Sequence, residues 1–353
     1  MLEENNNFTE NQGENQAPLQ EFPATIENPY SFIIEEHRKK REIRRLAAVI
    51  GIPCLCLSVI GFLWSFPYLF FTVKVAGMSY ADAVKFSQNP AIQQVLQIIL
   101  STFMFLVPFT VAAKCAGVRI DNTVMFEKSK KSSFLPLFLF GIGFCSFANV
   151  ATTYVSAIFQ NFGIDYDVNF GENPSGVFGF LLTFISTAIV PALVEEFACR
   201  GIVLGLLKKH GEAFAVITSS VIFGIMHGNF EQMPFAVMVG LILGYIYVKT
   251  ENIWVCVAVH GTNNAISVIL SYLENIASSN TQNLIYIIYL IISMLAAILG
   301  VLLFAKNGKE NYELEKSEDN IKNKQKYKWF FTSWAIVLFV VINLIEALKY
   351  FVV

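Results

Sequence analysis

Long apolar segments make up most of this 353-residue chain and limit its fold more than any other feature. Nine segments long enough, or nearly so, to cross the hydrocarbon core of a bilayer lie at about 46–73, 92–113, 133–159, 176–207, 213–228, 234–249, 253–273, 282–305 and 329–351. A mean hydropathy of +0.54 with only 15% charged residues excludes a soluble globular protein. The sequence therefore predicts an all-α fold, a polytopic transmembrane helix bundle of about 8–10 spans, with nine favoured.

The charged residues between these segments predict the orientation of the chain. The basic run at 37–45 precedes the first span, and a second basic group follows the second span: Lys114, Arg119, Lys128, Lys130 and Lys131. Both are expected to be cytoplasmic, as is the segment 306–328 with its seven lysines. The loop 160–175 has three acidic residues and no Lys or Arg, so we expect it outside. The segment 176–207 must then be one long helix, kinked at Pro191.

The same features predict four regions. They are a disordered N-terminal tail with a basic cytoplasmic segment (1–45), N-terminal transmembrane helices (46–175), a helical core (176–273) and C-terminal transmembrane helices (274–353). No basic patch with interleaved aromatics suggests nucleic acid, so the expected surroundings are the lipid bilayer. The Asn- and Lys-rich composition is typical of a low-GC bacterium, and we expect a multi-pass protein of its plasma membrane.

A cluster of charged residues interrupts one of the most apolar stretches of the chain. Glu195, Glu196 and Arg200 lie within six residues, and His227 and His260 follow in the next apolar segments. Each charged group at bilayer depth costs roughly 3 kcal/mol on insertion scales. Such a cluster indicates chemistry or transport at this place.

Spacing along a helix indicates how these side chains meet. Glu196 and Arg200 are four residues apart and share a face, as do His260 and Asn264. Glu195 is rotated by about 100° from Glu196, so the arginine holds one carboxylate while the other stays free. A turn near Gly211 would place Glu195 and His227, each sixteen residues from it, at one level of a hairpin.

Three motifs in this order resemble those of the CAAX protease and bacteriocin-processing family of intramembrane proteases. The family pattern EExxxR, FxxxH and HxxxN is matched by Glu195–Arg200, Phe223–His227 and His260–Asn264. The resemblance implies peptide-bond hydrolysis in the membrane. It assigns water activation to Glu195 and His227, and oxyanion stabilisation to His260 and Asn264. Glu196 and Arg200 would hold the site together, and Phe223 would pack beside it.

The metal question stays open at the level of sequence. Glu195, His227 and His260 are also a donor set for catalytic zinc, and the resemblance allows either metal-dependent or glutamate chemistry. The expected substrate is a membrane-associated peptide, which is prenylated, leader-type or bacteriocin-like. Two other functions use the same residues: an ion-coupled transporter with a Glu/His pathway, and a non-catalytic membrane immunity or scaffold protein.

Overall fold

The computed structural model describes residues 31–63, 70–126, 131–161, 165–166, 173–274, 276–306 and 313–352. Its helices in chain order are α1 (Ser31–Leu63), α2 (Tyr80–Ser87), α3 (Pro90–Cys115), α4 (Ile120–Thr123), α5 (Lys131–Asn161), α6 (Gly176–His210), α7 (Glu212–Ile225), α8 (Gln232–Thr250), α9 (Ile253–Glu274), α10 (Ser279–Lys306), α11 (Asn323–Phe331) and α12 (Trp334–Leu348). A π-helical turn at Phe71–Val75 precedes α2, and two-residue strands β1 (Asp165–Tyr166) and β2 (Phe351–Val352) pair antiparallel. The predicted all-α polytopic bundle is confirmed.

The number of spans is lower than the nine that we favour from sequence. Seven of the described helices are long and apolar enough to cross a membrane, or eight if α11 and α12, bent by 70° at their junction, form one broken span. The predicted span at 213–228 is helix α7, which has only 14 residues. It measures about 21 Å, against roughly 30 Å for a hydrocarbon core, because each residue adds about 1.5 Å. This segment is a short helix held between its neighbours.

Helix α1 begins before the predicted first span, which starts at residue 46. The chain divides into a first unit of residues 1–39 and a second unit, Lys40–Val353. The predicted tail at 1–30 lies outside the described residues, but the boundary at residue 45 is not a break, because α1 runs through it. Ile43, Leu46 and Ile50 are buried on one face of this helix. The basic run is therefore part of an amphipathic helix, since its apolar positions follow the helical period.

Helix α6 is the long continuous helix that the sequence predicts, but its backbone is not uniform. Two π-helical stretches, Phe184–Ile189 and Phe197–Leu204, flank the α-helical turns Val190–Glu196. Pro191 lies in the first turn of these, directly after the first π stretch, where its missing N–H is accommodated. π-helical turns are often found at functional sites, and the second one holds Arg200.

Helices α7 and α8 pack closely against each other. A Cβ atom added to Gly240 on α8 would lie 2.9 Å from Cα of Ser220 on α7, so only glycine permits this approach. Turns with positive φ follow α6 at Gly211 (φ 110°) and α8 at Glu251 (φ 50°). They reverse the chain, and the first of them lies where the sequence predicts a turn, near Gly211.

Candidate active site

Six helices enclose a polar cavity of about 770 Å³. It is lined by the N-terminal parts of α3 and α8, the first half of α6, and the C-terminal parts of α5, α7 and α9. Its lining includes Glu195, His227, His260 and Asn264, together with Phe223. The three sequence motifs, spread over α6, α7 and α9, are thus brought to one cavity.

A buried charge centre forms the floor of the site. Nη1 of Arg200 donates to Oε1 of Glu196 at 2.9 Å, and Nδ1 of His260 bonds to the same oxygen at 2.8 Å. The predicted Glu196–Arg200 ion pair is therefore present, with both side chains at most 1% exposed. Nη2 of Arg200 also donates to the carbonyl oxygen of Gly240 at 3.4 Å. The arginine links α6 to α8, while Glu196 links α6 to α9.

Phe223 packs against three members of the site. Its ring stands edge-on to the imidazoles of His227 and His260, with centroids 5.0 and 6.0 Å away. The guanidinium carbon of Arg200 lies 4.6 Å from the centre of the same ring. This cation–π contact stabilises the buried arginine and spaces the two histidines. Phe223 packs as expected, and it does so at the centre of the site.

Hydrogen bonds orient both imidazoles with Nδ1 away from the cavity. Nδ1 of His227 lies 2.8 Å from the carbonyl oxygen of Phe223, which only accepts, so this nitrogen carries the proton. Nδ1 of His260 likewise donates to the Glu196 carboxylate. In the neutral rings, Nε2 then offers a lone pair. Nε2 of His260 lies 3.9 Å from Oε2 of Glu195, whose half-buried side chain lines the cavity.

A row of side-chain amides continues the wall above His260. Nδ2 of Asn149 donates to Oδ1 of Asn263, and Nδ2 of Asn263 donates to Oδ1 of Asn264, each at 3.3 Å. Nδ2 of Asn264 donates to the carbonyl oxygen of Thr187 at 3.1 Å. An amide nitrogen has two protons, so Asn264 keeps one donor for a ligand.

The residue types at the site are suitable metal ligands, but their positions do not form a metal site. Both histidines have Nδ1 bonded to an acceptor and Nε2 free, which is the usual orientation of metal-binding imidazoles. Among the residues that the structure describes, however, no three His, Cys, Asp or Glu side chains group closely enough to hold a metal ion. The zinc set Glu195, His227 and His260 is not assembled as such, and we derive no step through a metal.

Several residues of the site were missed from the sequence. These are the polar lining residues of α3, α5 and α8, which belong to no motif: Gln94, Gln97, Asn149, Thr152, Glu231 and Gln232. Polar side chains inside apolar helices are the signal that was available for Gln94, Gln97 and Asn149. The bond from His260 to Glu196 has no signal of this kind, because it joins residues 64 positions apart.

Comparison with known proteins points to the same segment. Residues 177–266 match the family model of type II CAAX prenyl endopeptidase Rce1-like proteins. A curated relative, "Putative membrane peptidase YdiL" of Bacillus subtilis (strain 168), is 34% identical over 90 residues, which are 25% of this chain and 37% of the relative. The chain thus matches little more than a third of that relative's length. No solved structure matches the chain.

Fold and site together define a polytopic membrane protein in which the three motifs surround a buried Glu–Arg–His centre. Residues 177–266, which match this family model, contain all three motifs of the CAAX protease and bacteriocin-processing family, and the match supports the resemblance drawn from them.

Proposed function

We propose that this protein is an intramembrane endopeptidase that hydrolyses a peptide bond of a membrane-associated peptide. The observation that supports it best is the convergence of Glu195, His227, His260 and Asn264 on one polar cavity between apolar helices. Hydrolysis needs a group that takes a proton from water and donors for the developing oxyanion, and these residues offer both. The family match over residues 177–266 supports the same class of reaction.

In the proposed reaction, Glu195 is the general base. Its carboxylate lines the cavity and has no arginine partner among the described residues, whereas Glu196 is neutralised by Arg200. Glu195 takes a proton from a water molecule while the water oxygen bonds to the scissile carbonyl carbon. Nε2 of His227 accepts the second hydrogen bond of that water, because Nδ1 is held by the Phe223 carbonyl.

The oxyanion of the tetrahedral intermediate is assigned to His260 and Asn264. Asn264 donates its second amide proton, since the first is bonded to Thr187. Nε2 of His260 donates the second hydrogen bond when the ring carries both protons, with its Nδ1–H bonded to the Glu196 carboxylate. Glu195 then returns its proton to the amine nitrogen as the carbon–nitrogen bond breaks. The products are a free amine and a new carboxyl group, which releases its proton to water at neutral pH.

The test is cleavage of a library of quenched-fluorescent, lipid-anchored peptides by the purified protein in detergent. Glu195→Gln keeps the shape of the side chain but removes the base, so cleavage of any substrate should fall by about 10²- to 10⁴-fold. Glu274→Gln makes the same change at an exposed position at the end of α9 and serves as the matched control. Equal cleavage by the wild type and Glu195→Gln would contradict the proposal.

A further inference from the structure

The two ends of the helix bundle differ in charge, and the cavity lies at one of them. We call the cavity end the acidic end. It contains the described parts of the connections 64–89, 162–175, 226–231 and 275–278. At this end Tyr272 of α9 donates to the carbonyl oxygen of Pro174, just before α6, at 2.7 Å. The C-terminus of α9 and the N-terminus of α6 therefore lie side by side.

The other end, which we call the basic end, contains the described parts of the connections 116–130, 208–211, 251–252 and 307–322. Hydrogen bonds join these connections across the bundle. The hydroxyl of Tyr247 donates to the carbonyl oxygen of Thr123 at 3.0 Å, and Nζ of Lys326 donates to that of His210 at 2.9 Å. The backbone N–H of Ile253 donates to the carbonyl of Met125 at 2.9 Å.

The distribution of Lys and Arg assigns these ends to the two faces of the membrane. The segments that connect or end the helices at the acidic end contain three lysines, Lys74, Lys85 and Lys349, and no arginine. The basic end has Lys or Arg in three of its connections, and Lys249, in the last turn of α8, precedes the fourth connection, 251–252. Short loops rich in Lys and Arg stay on the cytoplasmic side. The acidic end is therefore the non-cytoplasmic end.

Exposure along the wall shows that the cavity opens toward the acidic end. Asn173 and Glu231, both at that end, are exposed, whereas His260 and Asn263 are 6% and 5% exposed. From His260 to Ser271, which bonds to Asn173 at the rim, helix α9 rises by about 17 Å. The reacting groups thus lie at the bottom of a cleft about half a bilayer deep.

We propose that the cavity receives its peptide from the non-cytoplasmic face of the membrane. The substrate class is a peptide segment already exposed on that face, so a translocation step must precede cleavage. A peptide confined to the cytoplasmic surface would not reach Glu195. Among the residues that the structure describes, the acidic groups in the lining are Glu195 and Glu231, and no Lys or Arg lines it, so the segment is uncharged or basic rather than acidic. This proposal rests on the proposed function only in that the ligand is taken to be a peptide.

Thiol labelling tests the side of the opening without requiring activity. Cys115 is exposed at the C-terminus of α3, at the basic end, and serves as the internal control. The wild-type protein reports on Cys115. A first variant combines Cys115→Ala with Asn173→Cys at the cavity rim. A second variant combines Cys115→Ala with Ser271→Cys, in case the first fails to fold. Intact cells are treated with a membrane-impermeant maleimide, with and without permeabilisation.

The rim cysteine should be labelled in intact cells, with little added by permeabilisation, and Cys115 only after permeabilisation. The reverse pattern, or labelling of both positions in intact cells, would overturn the proposal. The same labelling in the Glu195→Gln background separates the two proposals. If the peptide library is not cleaved but the rim is labelled from outside, the proposed function fails and the sidedness stands.

Discussion

The buried arginine offers the sharpest test of how the site is held together. Arg200 bonds to Glu196 and to the carbonyl oxygen of Gly240, and its guanidinium stacks on Phe223. Arg200→Met keeps most of the volume and removes the charge. Among the described residues, the carboxylate of Glu196, 0% exposed, then keeps His260 alone as a hydrogen-bond partner.

Removing one partner of a buried ion pair costs about 3–5 kcal/mol of unfolding free energy, because it leaves an uncompensated charge in a low-dielectric interior. His260 still donates to Glu196, so we expect a loss near the lower limit, about 3 kcal/mol. Adding Glu196→Gln to Arg200→Met removes the uncompensated charge. The double variant should therefore recover at least about half of the loss, since replacing both partners of a buried pair is often nearly neutral.

The assay is denaturant unfolding in mixed micelles, followed by the fluorescence of the four tryptophans. Lys209→Met is the matched control: Lys209 pairs with Glu42 at 2.5 Å, but its side chain is 60% exposed. Exposed pairs contribute at most about 1 kcal/mol, so this variant should unfold almost like the wild type. Arg200→Met with wild-type stability, or a double variant no more stable than Arg200→Met, would refute the reasoning.

Three further predictions concern catalysis, selectivity and pH. Asn264→Ala should lower kcat by about 10²- to 10³-fold with little change in KM, as loss of an oxyanion donor does, whereas a fall confined to KM would assign Asn264 to ground-state binding. Glu231→Gln should raise kcat/KM for peptides with an acidic residue about two- to fivefold relative to uncharged peptides, because an exposed charge contributes under about 1 kcal/mol. Unchanged relative rates would show that Glu231 does not determine selectivity. Burial raises the pKa of Asp319, but hydrogen bonds from Lys326 and Ser317 outweigh it and hold the pKa below the ordinary 3.8. Asp319 therefore stabilises the fold above pH 4, and this stabilisation is lost as the pH falls below 4. Unfolding midpoints measured from pH 6 to 3 should show the stability difference between wild type and Asp319→Asn shrinking below pH 4. A difference that does not change with pH would contradict this.

The sequence predicts the meeting of the first two motifs well because helical geometry and one polar turn determine it. Glu196 and Arg200 pair as residues four apart on a helix do. The turn at Gly211 brings Glu195 and His227 to one cavity, as expected from their equal distances to that turn. These relations are local or cross one short connection, so a periodic pattern is sufficient to find them.

Other features depend on packing between distant helices and were not predictable. The bond from His260 to Glu196 and the amide row from Asn149 to Asn263 join helices through tertiary contacts. The π-helical turns of α6 depend on where backbone hydrogen bonds form, which side-chain periodicity does not determine. Helix α1 starts before its predicted span, and the hydropathy pattern did not show this. Buried Ile43 lies within the basic run, whose charged residues lower the average hydropathy.

The central claim is that Glu195 activates a water molecule that attacks the peptide bond. Its most direct test is cleavage of the best library peptide in oxygen-18 water, with mass spectrometry of both products. We predict one oxygen-18 atom in the new C-terminal carboxylate, a free amine on the other product, and formation of both products about 10²- to 10⁴-fold slower with Glu195→Gln. Products without the label, or labelled products formed by Glu195→Gln at the wild-type rate, would contradict the account.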